Sequence, residues 1–161
     1  MKVLVIYDSV FGNTEKIAQA VGHGFGSQAE VTVLQVGAVT PAHLRNINLL
    51  VVGSPTRAFR PTPAMKKWIA TIPKQGLAGM KVAAFDTRIS VDDVESVILP
   101  PMIHLFGYAA QPILDSLVKK GGERASDAEG FFVNGTEGPL KDGELDRATA
   151  WGQAMTMLEP V

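Results

Sequence analysis

The chain of 161 residues is the size of one folding domain, and its 46% apolar and 19% charged content fits a globular protein rather than a disordered or fibrous one. Fifteen basic residues stand against sixteen acidic ones, a formal net charge of −1, so the chain as a whole attracts neither nucleic acid nor an anionic membrane. The absence of cysteine removes disulfides and thiolate chemistry, and no stretch approaches the ~20 apolar residues of a membrane span.

Val3 to Tyr7 is an unbroken apolar run, the pattern of a strand buried on both faces. It is far too short for a secretory signal, so a cytoplasmic location is expected. A helix follows from Thr14, with Ile17, Ala18, Val21 and Phe25 at helical spacing and the glycines at 22, 24 and 26 as its stop. Val31 to Val36 reads as the second strand and Leu49 to Val52 as the third, ending at Gly53-Ser54-Pro55. Thr62 and Pro63 are the N-cap and first residue of a helix whose inward stripe is Met65, Trp68, Ile69 and Ile72.

Lys81 to Phe85 is the fourth strand, and Asp86-Thr87-Arg88 is its loop. Ser90 to Tyr108 carries many apolar positions interrupted by Pro100-Pro101; one or two short helices are expected there, serving as packing, as a lid or as the contact of a homodimer. A helix from about Ala109 to Lys120 has Ile113, Leu114, Leu117 and Val118 at core spacing. The fifth strand is expected to be kinked or interrupted, weak from Glu123 to Ser126 and strong at Phe131 to Val133. Gly143 to Leu158 closes the chain as a helix with Leu145, Ala148, Trp151, Met155 and Leu158 on one face. This strand–helix alternation predicts a doubly wound α/β domain over residues 1–161, a five-stranded parallel sheet with helices on both faces.

In such a sheet ligands bind beyond the carboxyl ends of the strands, where strand order reverses. The loop after the first strand, Ser9-Val10-Phe11-Gly12-Asn13-Thr14, sets short polar side chains and a glycine before a helix N-terminus, a setting for an anion. No Walker A lysine and no G-x-G-x-x-G is present, which points away from nucleoside triphosphates and dinucleotides toward a phosphomonoester. His23, His43 and His104 have no carboxylates at ligand spacing, so no metal site is expected.

Ser9-x-Phe11-Gly12-Asn13-Thr14 resembles the S/T-x-T/F-G-x-T phosphate loop of the flavodoxin family, and the likeness extends over the whole order of strands and helices. The loop Gly53 to Phe59 resembles that family's flavin-contacting loop, and Ser54-Pro55-Thr56-Arg57 is similar to the string of tryptophan-repressor-binding-protein-like quinone reductases. The resemblance implies FMN. Its phosphate would meet Ser9, Val10, Phe11, Gly12, Asn13 and Thr14, and its ring Pro55, Thr56, Arg57, Ala58 and Phe59, with Asp86, Thr87 and Arg88 at the pyrimidine edge. It further implies an electron carrier with a reductase or oxidase as redox partner; the alternatives are an NAD(P)H-dependent FMN quinone reductase and a flavin-free interaction domain.

Three features depart from the family pattern. The charge is nearly neutral where flavodoxins are strongly acidic, and no tyrosine stands directly after the fourth strand, leaving Tyr108 or His104 as cover for the ring. Arg57, Arg60 and Arg88 form a positive group beside the expected ring site. An arginine close to a reduced, anionic flavin favours that form, so Arg57→Ala and Arg88→Ala are both expected to lower the potential.

Overall fold

The computed structural model describes residues 1–90 and 108–158. The expected short helices between Ser90 and Tyr108, and with them the lid and homodimer readings of that segment, lie outside the described residues. The chain runs β1 (Lys2–Tyr7), α1 (Asn13–Gly24), β2 (Glu30–Gln35), β3 (Leu49–Pro55), α2 (Pro63–Thr71), β4 (Lys81–Ile89), α3 (Ala110–Lys119), β5 (Glu123–Arg124), β6 (Glu129–Val133) and α4 (Glu144–Met155). The sheet order is β2-β1-β3-β4, with β5 and β6 both on the far side of β4 and all pairings parallel. The expected interrupted edge is thus two strands in line: β5 pairs with Lys81–Val82 and β6 with Phe85–Ile89.

The unbroken apolar runs follow from a sheet covered on both faces. Val3, Val5 and Tyr7 enter one core with Ile17, Val21, Phe25, Phe131 and Met155, whereas Leu4 and Ile6 enter the other with Met65, Ile69, Ile113, Leu114 and Leu117. Each such side chain contributes roughly 1.5–3 kcal/mol by leaving water. Thr62 caps α2 as expected, accepting the Met65 N–H at 3.3 Å, and Pro63 opens the helix.

Several expectations need correction. Gly22 lies within α1, whereas Gly24 is its last residue and Gly26 follows at φ +57°; a Cβ on Gly24 would sit 2.2 Å from the Thr149 carbonyl of α4, so that glycine serves the helix crossing as well as the helix end. Val118 and Leu145 are exposed rather than in the core. At the start of α4 the inward place is taken by Glu144, which accepts the Phe132 N–H at 2.7 Å and Arg147 Nη2 at 2.7 Å. Arg147 also pairs with Glu129 at 2.9 Å, bonds the Gly130 carbonyl and lies 4.5 Å from the Phe131 ring centroid, fastening α4 to β6.

Burial works to raise the Glu144 carboxyl, but the Arg147 hydrogen bonds, the Phe132 N–H and the charges of Arg147 and Lys141 outweigh it and hold it below its ordinary value. A carboxyl lowered in the folded state stabilises fully above its unfolded value, and that contribution fades as pH falls through the folded one. Glu144→Gln is therefore expected to lower the melting temperature at neutral pH and to shrink the drop between about pH 6 and pH 3. An equal acid drop in both proteins would refute this assignment.

Candidate functional site

The order in which strands are added to the sheet reverses between β1 and β3: β1 leads to β2 on one side, and β3 lies on the other. Here the loops after β1 and β3 are fastened together. Asp8 N donates to the Gly53 carbonyl at 3.0 Å, and Thr62 Oγ1 donates to Asp8 Oδ2 at 2.5 Å. Ser54 Oγ accepts the Thr62 N–H at 3.0 Å, and Thr56 N donates to the Thr87 carbonyl at 3.0 Å. These bonds tie the ends of β1, β3 and β4 to the start of α2.

A cavity of about 350 Å³ opens there, bounded by Val10, Phe11, Asn13 and Thr14 after β1 and by Pro55 to Phe59 after β3. Thr87, Arg88 and Ile89 of β4, Tyr108, and Val133 and Thr136 at the end of β6 complete it. Eleven of the residues expected at the cofactor therefore share one wall; Ser9, Gly12 and Asp86 do not line it.

Gly12 precedes α1 at φ +91°, a conformation open to glycine and strained for other residues. It offers no side chain to cap the helix, whose first N–H groups have no intrahelical acceptor. Ser9 Oγ accepts the Gly12 N–H at 3.1 Å and so shapes the turn. Thr14 and Thr87, both buried, share a 2.8 Å hydrogen bond that joins the start of α1 to the end of β4, and Asn13 Nδ2 donates to the Glu137 carbonyl at 3.1 Å. The loop after β6 is thus part of the site, and Val133 and Thr136 are members that the sequence reading did not name.

On the β3 side, Arg57 and Arg60 exchange backbone hydrogen bonds at 2.8 and 2.9 Å, closing a two-residue turn over Ala58 and Phe59. Both central residues have positive φ, +48° and +68°, where a side chain is disfavoured. Backbone strain of this kind collects at ligand-binding turns. The exposed Phe11 ring lies 5.9 Å from the Arg57 guanidinium carbon, and Val10 beside it is also exposed.

Asp86, Thr87 and Arg88 are not in a loop. They belong to β4, which continues to Ile89 because it is paired on both sides, with β3 through Ser54 and Pro55 and with β6 through Gly130 to Val133. Asp86 is 0% exposed and does not line the cavity. Its carboxylate accepts Arg88 Nε at 2.6 Å, Arg88 Nη2 at 2.8 Å and the Ala110 N–H at 2.9 Å, serving α3 as an N-terminal anion. Burial pushes the Asp86 carboxyl up, against the opposing pull of Arg88 and the Ala110 N–H.

An open parallel sheet with a cavity at its switch point, holding an uncapped helix start beside aromatic walls, defines a doubly wound α/β binding domain of the flavodoxin type. The sequence pattern of the family described as flavodoxin domain matches residues 4–120, and the chain belongs to that family. A stretch of 93 residues is 31% identical to the flavodoxin of Clostridium saccharobutylicum, covering 56% of this chain and 58% of that protein, less than two-thirds of its length. Among solved structures, oxidised Flavodoxin 2 from Bacillus cereus superposes with a TM-score of 0.76 at 21% identity, covering 96% of this chain and 97% of that one. A flavodoxin from the domain Archaea gives 0.73 at 23% identity, covering 97% and 96%. Identities this low speak for the shared fold. Among the described residues no helix is long and apolar enough to cross a membrane.

Proposed function

We propose that the protein binds FMN non-covalently and carries electrons between protein partners. The observation that carries this reading is the meeting, in one cavity, of an uncapped α1 start next to Thr14 with the aromatic side chains of Phe11, Phe59 and Tyr108. The donor set fits the two ends of such a molecule. Backbone N–H groups and a hydroxyl at a helix N-terminus suit a phosphate, and flat apolar walls suit a fused ring. When bound, the flavin supplies the one- and two-electron chemistry. The chain's own part is to hold the phosphate at Asn13 and Thr14 and to shield the ring with Pro55, Thr56, Ala58 and Phe59. The exposed Val10 and Phe11 at the lip offer an apolar contact for a partner reductase or oxidase.

The test is the visible spectrum of the purified protein, as isolated and after adding FMN and removing the excess. Retained flavin absorption is expected, and riboflavin should bind at least about tenfold more weakly because hydrogen bonds to a charged group are among the strongest. A protein that retains no FMN would overturn the reading in favour of a flavin-free interaction domain, and equal affinity for riboflavin would overturn the phosphate position. The string Ser54-Pro55-Thr56-Arg57, whose last three residues line the cavity, and the near-neutral charge favour a second reading, an NAD(P)H-dependent quinone reductase. Rapid bleaching of the bound flavin by NAD(P)H, followed by recolouring with a quinone, would select it over the carrier.

A further inference from the structure

Two arginines meet aromatic rings at the cavity, and their surroundings differ. Arg88 lies with its guanidinium carbon 3.8 Å from the Tyr108 ring centroid, close enough for a strong cation–π contact. It is held from beneath by the bidentate pair with fully buried Asp86. The strand alongside leaves room for it: a Cβ on Gly130 of β6 would fall 2.2 Å from the Arg88 guanidinium carbon. The same carboxylate takes the Ala110 N–H, and Thr56 Oγ1 takes the Ala109 N–H at 3.2 Å, so the backbone that delivers Tyr108 is anchored to the ends of β3 and β4.

Arg57 has no such partner. It is exposed, stands over Phe11, and among the described residues no carboxylate pairs with it.

We infer that the two arginines divide their work: Asp86 and Arg88 form a charge-balanced pair that positions the Tyr108 ring in the cavity wall, and Arg57 brings the uncompensated positive charge to the bound group. The second half rests on the FMN reading. The physical reason is that a guanidinium does not give up its proton. An ionised Asp86 makes the pair neutral, whereas a protonated one would leave a largely buried cation without its counter-charge. The neutral pair adds little to the potential at the ring, while a lone cation favours a more negative, reduced occupant. This revises the sequence expectation that Arg57 and Arg88 act alike. Asp86 and Arg88 are positioning residues acting through Tyr108.

The first arm of the test needs no cofactor. In the NMR spectrum of the whole protein, the Arg88 Nε–H, identified by its loss in Arg88→Lys, is expected to exchange slowly and to be shifted by the ring current of Tyr108. Tyr108→Leu should remove the shift and keep the slow exchange; an unshifted resonance in the parent protein would overturn the placement. The second arm uses protein loaded with FMN. Arg57→Gln should lower the potential, Asp86→Asn/Arg88→Gln should leave it in place, and Tyr108→Leu should weaken FMN about 3- to 10-fold. Should the double variant not fold, Arg88→Lys keeps a positive charge beside Asp86 while losing the two-pronged contact, and should likewise leave the potential unmoved. A fall with either of these variants equal to that of Arg57→Gln would overturn the division of charge. Failure to retain any FMN would remove the function assigned to Arg57, and the first arm would still decide the placement of Tyr108.

Discussion

Asp86→Ala is expected to destabilise the protein by about 3–5 kcal/mol, read as a lowered urea midpoint. The magnitude follows from what is left behind rather than from the attraction lost. Arg88 keeps its charge with only 19% of its side chain exposed, and water cannot readily replace a carboxylate that sits beneath it in the sheet. The Ala110 N–H loses its acceptor at the same time, at an α3 start whose N-cap residue, Ala109, has no side chain to take its place. Removing both charges with Asp86→Asn/Arg88→Gln should cost less, because neither partner is then stranded. A loss of less than about 1 kcal/mol for Asp86→Ala would show that solvent reaches Arg88 freely and that the pair does not organise this end of the sheet.

The same residues show where local sequence runs out. Val3 to Tyr7 and Leu49 to Val52 announce buried parallel strands because two-sided burial leaves no room for polar alternation. Thr62-Pro63 announces a helix start because capping is a local matter, settled within three residues. Asp86-Thr87-Arg88 looks like a loop since two charged residues and a threonine are unusual in a central strand. It is a strand because Asp86 and Arg88 satisfy each other across two residues and both neighbouring strands supply backbone partners. Nothing nearby in the chain reports those partners. Likewise the β1 and β3 loops were legible as parts of the candidate site, whereas Val133 and Thr136 arrive through a strand split in two. Leu145 has the spacing of a core residue, but Glu144 beside it occupies the inward place because its acceptors are needed by Phe132 and Arg147.

The glycines of α1 and α4 give the clearest case of a signal with two meanings, and the substitution that separates them has a sign that can be computed. On an isolated helix surface, Gly152→Ala would stabilise by about 1 kcal/mol through helix propensity alone. Here the added Cβ would stand 2.2 Å from the Val21 carbonyl oxygen, and the facing Gly24 position meets the Thr149 carbonyl at the same distance. Both obstacles are backbone, so no rotamer change relieves them and the helices must move apart. Overpacking of this kind typically costs 1–3 kcal/mol and occasionally more. Backbone obstacles put this site at the upper end of that range, about 3 kcal/mol, so against the propensity gain a net loss of about 2 kcal/mol is expected for Gly152→Ala, and a larger one for Gly152→Leu. The consequence reaches the cavity. α1 begins at Asn13 and Thr14, and the 2.8 Å bond from Thr14 to Thr87 fixes that start against β4. A helix pushed off α4 must strain this bond, so on the proposed FMN reading Gly152→Ala is also expected to weaken retention of the flavin, although the site is built by other residues. A Gly152→Ala protein as stable as the parent would mean that the two helices are not held in close register, and the glycines would then be no more than helix breakers.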